Sequence, residues 1–576
     1  MINDLLREDI SVFWSKENFS ALVKRLNSAD EAEEIYFLRG AFIVPFLRDS
    51  FKDALLTSIV FDYNQTHELE DGNPEKNEAY ILLEEINVDS LKLVEPKIAQ
   101  HFGLAVRYGW PSYLEIVNAG GFLTIEFLLD SETHHVLNNE DFNVFIWPYL
   151  PTASTYYEQF ISLANTKNTN AIRQFINNGG GYVGTCYGAY AASSGLISPF
   201  SLFYLRYAYN PNLLRKSPGL ALSISDSLMS ILLKTPINDS IVIHKAVNTN
   251  HPLFYGANET FQDFFRSPAF VWLGKNTHVL SVFDDLKTGD GSSNVNKNLE
   301  RVIVRRPSWV NSTFGKGKII LFGSHPDFIN NIKPLSKLFE SIEEPYYGRR
   351  IIQNSLFYLT SVENRDPIHY GSYNSSFINS ILEKTNNLTI NETSYNEFEE
   401  IIQNLNELNN DISNLNNTLT QLREIFPDFL NKSKYFPKSY RFFDYSIWLS
   451  EMFQDYIDKT ILTLNQIDRI IPMLMEYNES LIDKVTTLKN DINNRLTKAK
   501  EIVLKSSKFA LNIKAPLTSS HINLLQKLKL IKDRRNLLQT FEIELKYIPQ
   551  IYFETLKLVR YCWYNYEANI AIDSIS

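Results

Sequence analysis

The sequence predicts three folded regions: a small mixed α/β unit over residues 1–97, an α/β domain with a parallel sheet over 98–361, and an all-α region over 378–576. Three observations lead to this division. From about residue 100, short apolar strands alternate with helices, as in a parallel sheet covered by helices. A glycine-rich strand–turn–helix segment lies at 179–190. After residue 398, apolar residues recur at intervals of three and four, as in long amphipathic helices.

Length and composition restrict the class of protein. A chain of 576 residues is too long for one hydrophobic core, and its 44% hydrophobic and 21% charged content is typical of soluble globular proteins. The net charge of −10 does not favour a nucleic-acid binder. The cysteines are Cys186 and Cys562, which excludes a disulfide framework and indicates a reducing compartment. We therefore expect a cytoplasmic protein that binds neither nucleic acid nor membrane.

The N-terminal segment shows no signal-peptide pattern, because acidic residues replace the apolar core of such a peptide. Within residues 1–97, periodicity predicts helices at 4–26 and 31–50 and strands at 55–63 and 79–93. No candidate chemistry is found in this unit.

The predicted α/β domain alternates strands with helices up to the glycine-rich segment. The predicted helices are 112–119 and 156–177, and the predicted strands are 103–108, 123–129, 142–147, 182–185, 220–224, 240–244, 269–273, 278–283 and 301–305. In such a domain the reactive groups lie at the carboxyl ends of the parallel strands.

Cys186 lies where the strand of residues 182–185 meets the following helix. Gly184 and Gly188 flank it at two residues on either side, which is the pattern of a nucleophile elbow, a strained turn that leaves no room for bulk at its flanks. A thiol at the start of a helix is also placed where thiolate is favoured. The alternative interpretation is a small buried side chain without chemistry.

His325 follows a second buried strand, which begins at a Gly-Lys-Gly turn over 315–317. Pro326 stops the strand ladder at this point. If both strands belong to one parallel sheet, His325 lies at the same edge as Cys186, and a thiol with an imidazole is the minimal pair for covalent catalysis. Asp327 is available to orient the imidazole ring.

The combined motifs resemble the class I glutamine amidotransferase superfamily, and most of all the amidotransferase-like domain at the N-terminus of some biotin-protein ligases. The resemblance covers about residues 101–361 and depends on three segments: Gly-Gly-Gly-Tyr-x-Gly-x-Cys-x-Gly-Ala-Tyr at 179–190, Gly-Lys-Gly-x-x-x-Leu-Phe-Gly-x-His-Pro-Asp at 315–327, and a closing helix at 348–359. It implies a flavodoxin-like sheet with a triad carried by Cys186, His325 and Asp327. We expect no cofactor and no metal.

The chain departs from the pattern of that family at the oxyanion site. The family usually has a Gly-Gly pair after the strand that precedes the elbow helix, whereas this chain has Trp147-Pro148-Tyr149-Leu150-Pro151, whose prolines lack backbone donors. The amide of Tyr187 is therefore the candidate oxyanion donor, and Trp147, Gly184 and Gly188 are candidate pocket residues. The triad carboxylate is Asp where the amidotransferases typically have Glu. No phosphate-binding loop and no biotin-ligase catalytic domain is recognisable.

Two further histidine motifs are given structural interpretations. His251 resembles part of the family's pocket-shaping region, and we interpret it as a loop residue. His134 and His135 are adjacent, so on a strand their side chains would point apart, which argues against a metal pair.

Residues 362–377 are predicted to be a linker. A first long helix is expected to end at Pro427, a second to run from about 445 to 505 with a break or kink at Pro472, a third from 521 to 547 and a fourth from 551 to 571. The first carries a heptad-like apolar seam at Phe398, Ile401, Leu405, Leu408, Ile412, Leu415, Leu419, Leu422 and Phe426. These helices are expected to form an antiparallel bundle; self-association or docking of a protein partner is the alternative. A basic cluster at 527–535 is interpreted as a solvated face.

Three functional hypotheses follow from the sequence. The first is a cysteine hydrolase that acts on a carboxamide such as glutamine through Cys186, His325 and Asp327. The second is a catalytically silent scaffold or sensor whose helical arm binds a protein partner. The third is a cysteine peptidase built on the same elbow.

Overall fold

The computed structural model describes most of the chain. The described residues are 1–25, 32–45, 51–52, 54–56, 58–60, 80–102, 109–148, 166–196, 221–224, 240–265, 269–274, 276–288, 300–301, 303–327, 346–364, 368, 398–430, 440–474, 480–517, 529, 533, 537 and 545–573. They form two compact units. The α/β unit comprises Met1–Phe46 and Glu78–Ser372, and the helical unit comprises Leu47–Asn77 and Tyr373–Ser576. The boundary predicted at residue 97 has no counterpart in this division.

The first hundred residues differ from their predicted secondary structure. After helix α1, Ile2–Arg7, the chain forms strands β1 Phe13–Ser15, β2 Phe19–Arg25, β3 Glu33–Phe37, β4 Phe42–Ile43, β5 Tyr80–Leu82 and β6 Ser90–Lys92. The helices predicted at 4–26 and 31–50 are therefore wrong. Alternate residues Ala21 and Val23 of β2 are buried, which is the two-residue period of a strand.

The strand predicted at 55–63 is also wrong over its described part, because the described residues between 51 and 60 are helical. Leu55 and Ile59 are both buried, and residues four apart lie on one face of a helix. This helix belongs to the helical unit, where the Ser58 hydroxyl donates a hydrogen bond to the carboxylate of Glu567.

A nine-stranded mixed sheet forms the centre of the α/β unit, in the order β14-β13-β16-β17-β18-β10-β9-β7-β8. The strands from β7 onward are β7 Ile98–His101, β8 Ile125–Leu128, β9 Val144–Trp147, β10 Gly181–Thr185, β11 Ser194–Leu196, β12 Ala221–Ile224, β13 Ser240–Ala246, β14 Thr260–Phe265, β15 Ala269–Leu273, β16 His278–Thr288, β17 Pro307–Phe314 and β18 Gly317–Phe322. The half from β18 to β8 is parallel, and the half from β14 to β18 is antiparallel. The predicted parallel sheet is thus one half of a larger mixed sheet.

Helices accompany the parallel half of this sheet. They are α2 Gly109–Ala119, α3 Asp130–Val136, α4 Thr166–Asn177, α5 Tyr187–Ala192 and α6 Tyr346–Thr360. The predicted strand at 103–108 and the first part of the helix predicted at 156–177 lie outside the described residues. The strand predicted at 301–305 is wrong, because the described residues from 300 to 303 are helical and the next strand begins at Pro307.

The predicted linker begins as a strand. Residues Val362–Asn364 form β19, which pairs antiparallel with β6 and completes a small sheet of order β19-β6-β1-β4. Ile368 makes an isolated bridge with Ile86. The remaining linker residues lie outside the described part of the chain.

The helical unit contains α7 Glu399–Leu430, α8 Tyr440–Leu474, α9 Ser480–Leu517 and α10 Tyr547–Asp573. Helices α7 and α10 each pack against both α8 and α9. The predicted seam of α7 is buried from Phe398 to Leu422, so the chain covers this seam with its own helices. The helical unit confirms the predicted helical C-terminal region.

Two predictions in this unit concern prolines. The predicted end of the first helix at Pro427 is wrong, since α7 continues to Leu430. Over 445–505, where a helix with a break or kink at Pro472 was predicted, the described residues form two helices: α8 extends to Leu474, two residues past Pro472, and α9 begins at Ser480. The helix predicted at 521–547 and the basic cluster at 527–535 lie mostly outside the described residues. Among the described helices, none is long and apolar enough to cross a membrane.

Candidate active site

Cys186 occupies a strained turn between β10 and α5. Its backbone angles are φ 53° and ψ −102°, a combination that residues other than glycine rarely adopt. The flanking glycines are required by close packing. A Cβ at Gly184 would lie 2.6 Å from the carbonyl carbon of Gly188, and a Cβ at Gly188 would lie 2.2 Å from the carbonyl oxygen of Trp147. The turn therefore has the backbone expected of a nucleophile elbow.

His325 lies beside this turn because of the strand register. Strands β10 and β18 are adjacent and parallel, with Thr185 opposite Phe322, so the residues that follow both strands emerge at one edge. The Cys186 amide donates a hydrogen bond to the Phe322 carbonyl oxygen at 3.0 Å. A Cβ at Gly348 in α6 would lie 2.4 Å from the Pro326 carbonyl oxygen, so α6 also packs closely against this segment. The segment that carries His325 thus contacts both Cys186 and α6.

Cys186 acts electrostatically on the imidazole of His325. Burial by itself lowers the pKa of the His325 imidazole, but the charge of Cys186 and the interactions of the ring with Asp327 and Cys186 outweigh it and raise the pKa from 6.5 to about 10. A histidine of this kind carries its proton at neutral pH. The thiol and the ring therefore form a coupled acid–base pair.

Asp327 lies next to the same ring, with its Oδ1 atom 3.5 Å from Nδ1 of His325. This distance is at the outer limit of hydrogen bonding, as the shorter Asp side chain predicts. Burial raises the pKa of Asp327, and the contact with His325 opposes that rise. The side chains of Cys186, His325 and Asp327 are 7%, 1% and 0% exposed, so all three are shielded from water.

A buried tyrosine, Tyr113, lies near the triad. The hydroxyl of Tyr113 in α2 hydrogen-bonds with the hydroxyl of Thr185, the last residue of β10. Burial raises the pKa of Tyr113 well above its usual value, and the charge of Asp327 raises it further. Tyr113 is therefore a neutral neighbour of the triad that the sequence analysis did not identify.

The predicted pocket residues lie around the elbow. Trp147 ends β9, is buried, and contacts the ring of His101 with 4.6 Å between ring centroids. His101 ends β7 and thus lies at the same sheet edge, which the sequence analysis also missed. Tyr187 is the first residue of α5, but its side chain lies outside the described part of the structure, as do residues 149–151. The oxyanion role of the Tyr187 amide therefore stays a prediction.

The other histidine motifs have structural surroundings. His251 precedes a short 3-10 turn at Pro252–Phe254 and accepts a hydrogen bond from the Leu253 amide. His134 and His135 lie on helix α3 and not on a strand, with their rings 3.8 Å apart, and His134 hydrogen-bonds with Asn168. Among the described residues, no group of three acidic, histidine or cysteine side chains could hold a metal ion.

A second buried His–Asp pair lies in the antiparallel half of the sheet. His244 in β13 contacts Asp263 in β14 with 2.7 Å between Nε2 and Oδ1. The signal in the sequence was a histidine directly after the apolar run 241–243 of this strand. Its partners are distant along the chain, so the sequence could not identify them.

Comparisons with known proteins show that part of the chain is similar in fold to solved structures. Neither a protein-family model nor a curated protein sequence matches the chain. A ThuA-like protein from Bacteroides uniformis is similar in structure with 11% identity and a TM-score of 0.29, covering 47% of this chain and 94% of its own. A glutamine amidotransferase from Thermotoga maritima is similar with 11% identity and a TM-score of 0.28, covering 46% of this chain and 98% of its own. The PurLQS structure from the same organism has 13% identity and a TM-score of 0.29, covering 46% and 100%. None of these three is a biotin-protein ligase, so that closer resemblance stays a prediction.

Proposed function

We propose that this chain is a cysteine-dependent hydrolase that acts on a carboxamide such as glutamine. One observation carries the proposal: Cys186, on its strained turn, and His325 follow neighbouring parallel strands at one edge of the sheet, where Cys186 raises the pKa of the imidazole. A buried structural cysteine needs neither a positive φ angle nor an acid–base partner. Both features together are those of an activated nucleophile.

The reaction follows from the positions of the three side chains. The Cys186 sulfur, having given its proton to His325, attacks the carbonyl carbon of the amide and forms a carbon–sulfur bond. The protonated His325 returns this proton to the departing nitrogen as the carbon–nitrogen bond breaks, which releases ammonia and leaves a thioester. His325 then deprotonates a water molecule that hydrolyses the thioester to a carboxylate and regenerates the thiol. Asp327 is assigned the role of orienting the imidazolium.

The direct test is release of ammonia from glutamine by the full-length protein, together with covalent trapping by an electrophilic glutamine analogue. We expect modification at Cys186, identified by peptide mass spectrometry, and loss of both reactions in Cys186→Ala. Cys562→Ala is the matched control, since this second thiol is buried in α10 and burial raises its pKa to about 12. Equal modification of the protein in Cys186→Ala and in Cys562→Ala would refute the proposal.

The silent scaffold is favoured by a different observation, the nearly complete burial of all three side chains. In that case Cys186 would resist both alkylation and trapping in the folded protein, and the helical unit would supply the contacts with a protein partner. The third candidate, a cysteine peptidase, is distinguished by cleavage of peptide bonds in preference to free glutamine.

A further inference from the structure

The pair formed by His244 and Asp263 belongs to a buried hydroxyl network. Nδ1 of His244 lies 2.8 Å from the hydroxyl oxygen of Ser308, which lies 2.6 Å from the hydroxyl oxygen of Ser281. The participants come from strands β13, β14, β16 and β17, and all are buried. Ser281 and Ser308 lie inside strands β16 and β17 and not on a positive-φ turn like that of Cys186, so we do not interpret this network as a second active site.

The network extends from Asp263 to the turn that carries the catalytic histidine. The hydroxyl of Ser324 donates to Oδ2 of Asp263 at 2.7 Å, and the indole nitrogen of Trp309 donates to the Ser324 oxygen at 2.7 Å. Ser324 directly precedes His325 in the chain. The backbone is fixed at the same place, because the Gly323 amide donates to the Ser308 carbonyl oxygen at 2.8 Å.

Asp263 therefore satisfies two donors at once, one from His244 and one from Ser324. Each of these bonds involves a buried group, so removal of one partner leaves a buried polar atom unsatisfied, which is unfavourable. Since Ser324 and His325 are consecutive, a shift of the first moves the second. The geometry links the antiparallel half of the sheet to the reactive groups at the edge of the parallel half.

We propose that Asp263, held by His244, is a positioning residue that fixes Ser324 and thereby keeps His325 in contact with Cys186. This role rests on the proposed function, because it matters only if Cys186 and His325 act as an acid–base pair. A purely structural network would stabilise the sheet without affecting that pair.

Several ionisable groups face the reacting pair from the elements around it. Cys186 faces His325 from the end of β10, and Asp327 faces it from the same turn. Asp263 from β14 raises the pKa of Asp327 through its charge, although burial is the larger cause, and Asp327 in turn acts on Tyr113 of α2. A change at Asp263 alters charge as well as position, whereas a change at Ser324 alters position alone.

Ser324→Ala is therefore the decisive variant, with Asp263→Asn as its companion and Ser312→Ala as the matched control. Ser312 is another buried hydroxyl of β17, paired with Thr277 at 2.9 Å and outside this network. The readouts are the titration of the His325 ring, followed by NMR of histidine-labelled full-length protein, and the pH dependence of iodoacetamide modification at Cys186. Thermal melts report stability, and assignment uses His325→Gln.

We expect Ser324→Ala to move the pKa of His325 from about 10 toward its ordinary 6.5 and to slow alkylation of Cys186 at pH 7 at least fivefold. The upper limit is about thirtyfold, because an isolated thiol is only roughly 3% ionised at that pH. Ser312→Ala should lose comparable thermal stability and change neither readout. Ser324→Thr, which keeps the hydroxyl, should restore the raised pKa of His325.

Two negative results are distinguishable. If the unmodified protein releases no ammonia from glutamine and its Cys186 resists iodoacetamide, the proposed function fails and the positioning role fails with it. If the unmodified protein is active and Ser324→Ala changes neither the titration of His325 nor the alkylation of Cys186, only the positioning role is overturned. Should Asp263→Asn fail to fold, Ser324→Ala still decides, since it leaves the contact between His244 and Asp263 intact.

Discussion

The strained backbone at Cys186 predicts an unusual response to glycine. Glycine in place of alanine inside regular structure normally destabilises a protein by about 0.5–1 kcal/mol, through backbone entropy. At φ 53° and ψ −102°, however, a side chain costs roughly 1–3 kcal/mol of strain that glycine does not carry. The difference between these two terms is on the order of 1 kcal/mol in favour of glycine. We therefore expect Cys186→Gly to be more stable than Cys186→Ala.

Comparison of the two variants removes the contribution of the thiol, because neither contains it. The matched control is Ala189→Gly, a buried position inside helix α5, where glycine should cost about 1 kcal/mol. Urea unfolding followed by tryptophan fluorescence is a suitable assay, since Trp110, Trp147 and Trp309 are buried in the α/β unit. A Cys186→Gly protein that is less stable than Cys186→Ala, by the amount seen at Ala189, would refute the strained conformation.

Two further predictions concern the helical unit and acid stability. In α7, Leu408→Ala should destabilise the helical unit by about 2–5 kcal/mol, because this side chain is 0% exposed. Leu462 in α8 is 63% exposed, so Leu462→Ala should change the unfolding free energy by less than about 0.5 kcal/mol. Equal losses of stability in urea unfolding would contradict the packing of the seam. Burial, with smaller effects from Lys318 and His278, lowers the pKa of His251 from 6.5 to about 4. As the pH falls, this histidine therefore binds a proton in the unfolded chain before it does so in the folded protein. The stability of the fold should thus decrease between pH 6.5 and pH 4, by up to about 3 kcal/mol. His251→Asn should flatten the pH dependence of the melting temperature in this window, and an unchanged dependence would show that another group is responsible.

The candidate site was predictable because its parts are encoded locally. The spacing of Gly184 and Gly188 about Cys186 specifies the turn, and in the structure neither glycine has room for a Cβ. The motif at 315–327 specifies a strand followed by a stop at Pro326. Each motif needs only its own residues to define a local shape.

The first hundred residues show the opposite case. Their apolar residues fit a helical spacing as well as a two-residue strand period, and short strands such as β1 and β4 become stable only when they pair with others. β1 pairs with both β4 and β6, and β6 also pairs with β19, more than 250 residues later. Pairing over such distances leaves no local signal.

By itself, the sequence determined the elbow at Cys186, the strand that leads to His325 and the apolar seam of α7, since each follows from spacing within one short segment. Only the tertiary structure decided that β10 and β18 are neighbours and that a second buried pair, His244 and Asp263, reaches the turn that carries His325 through Ser324. The physical reason is that strand order and buried hydrogen bonds join residues far apart in the chain. Such contacts come into being only when the whole sheet assembles.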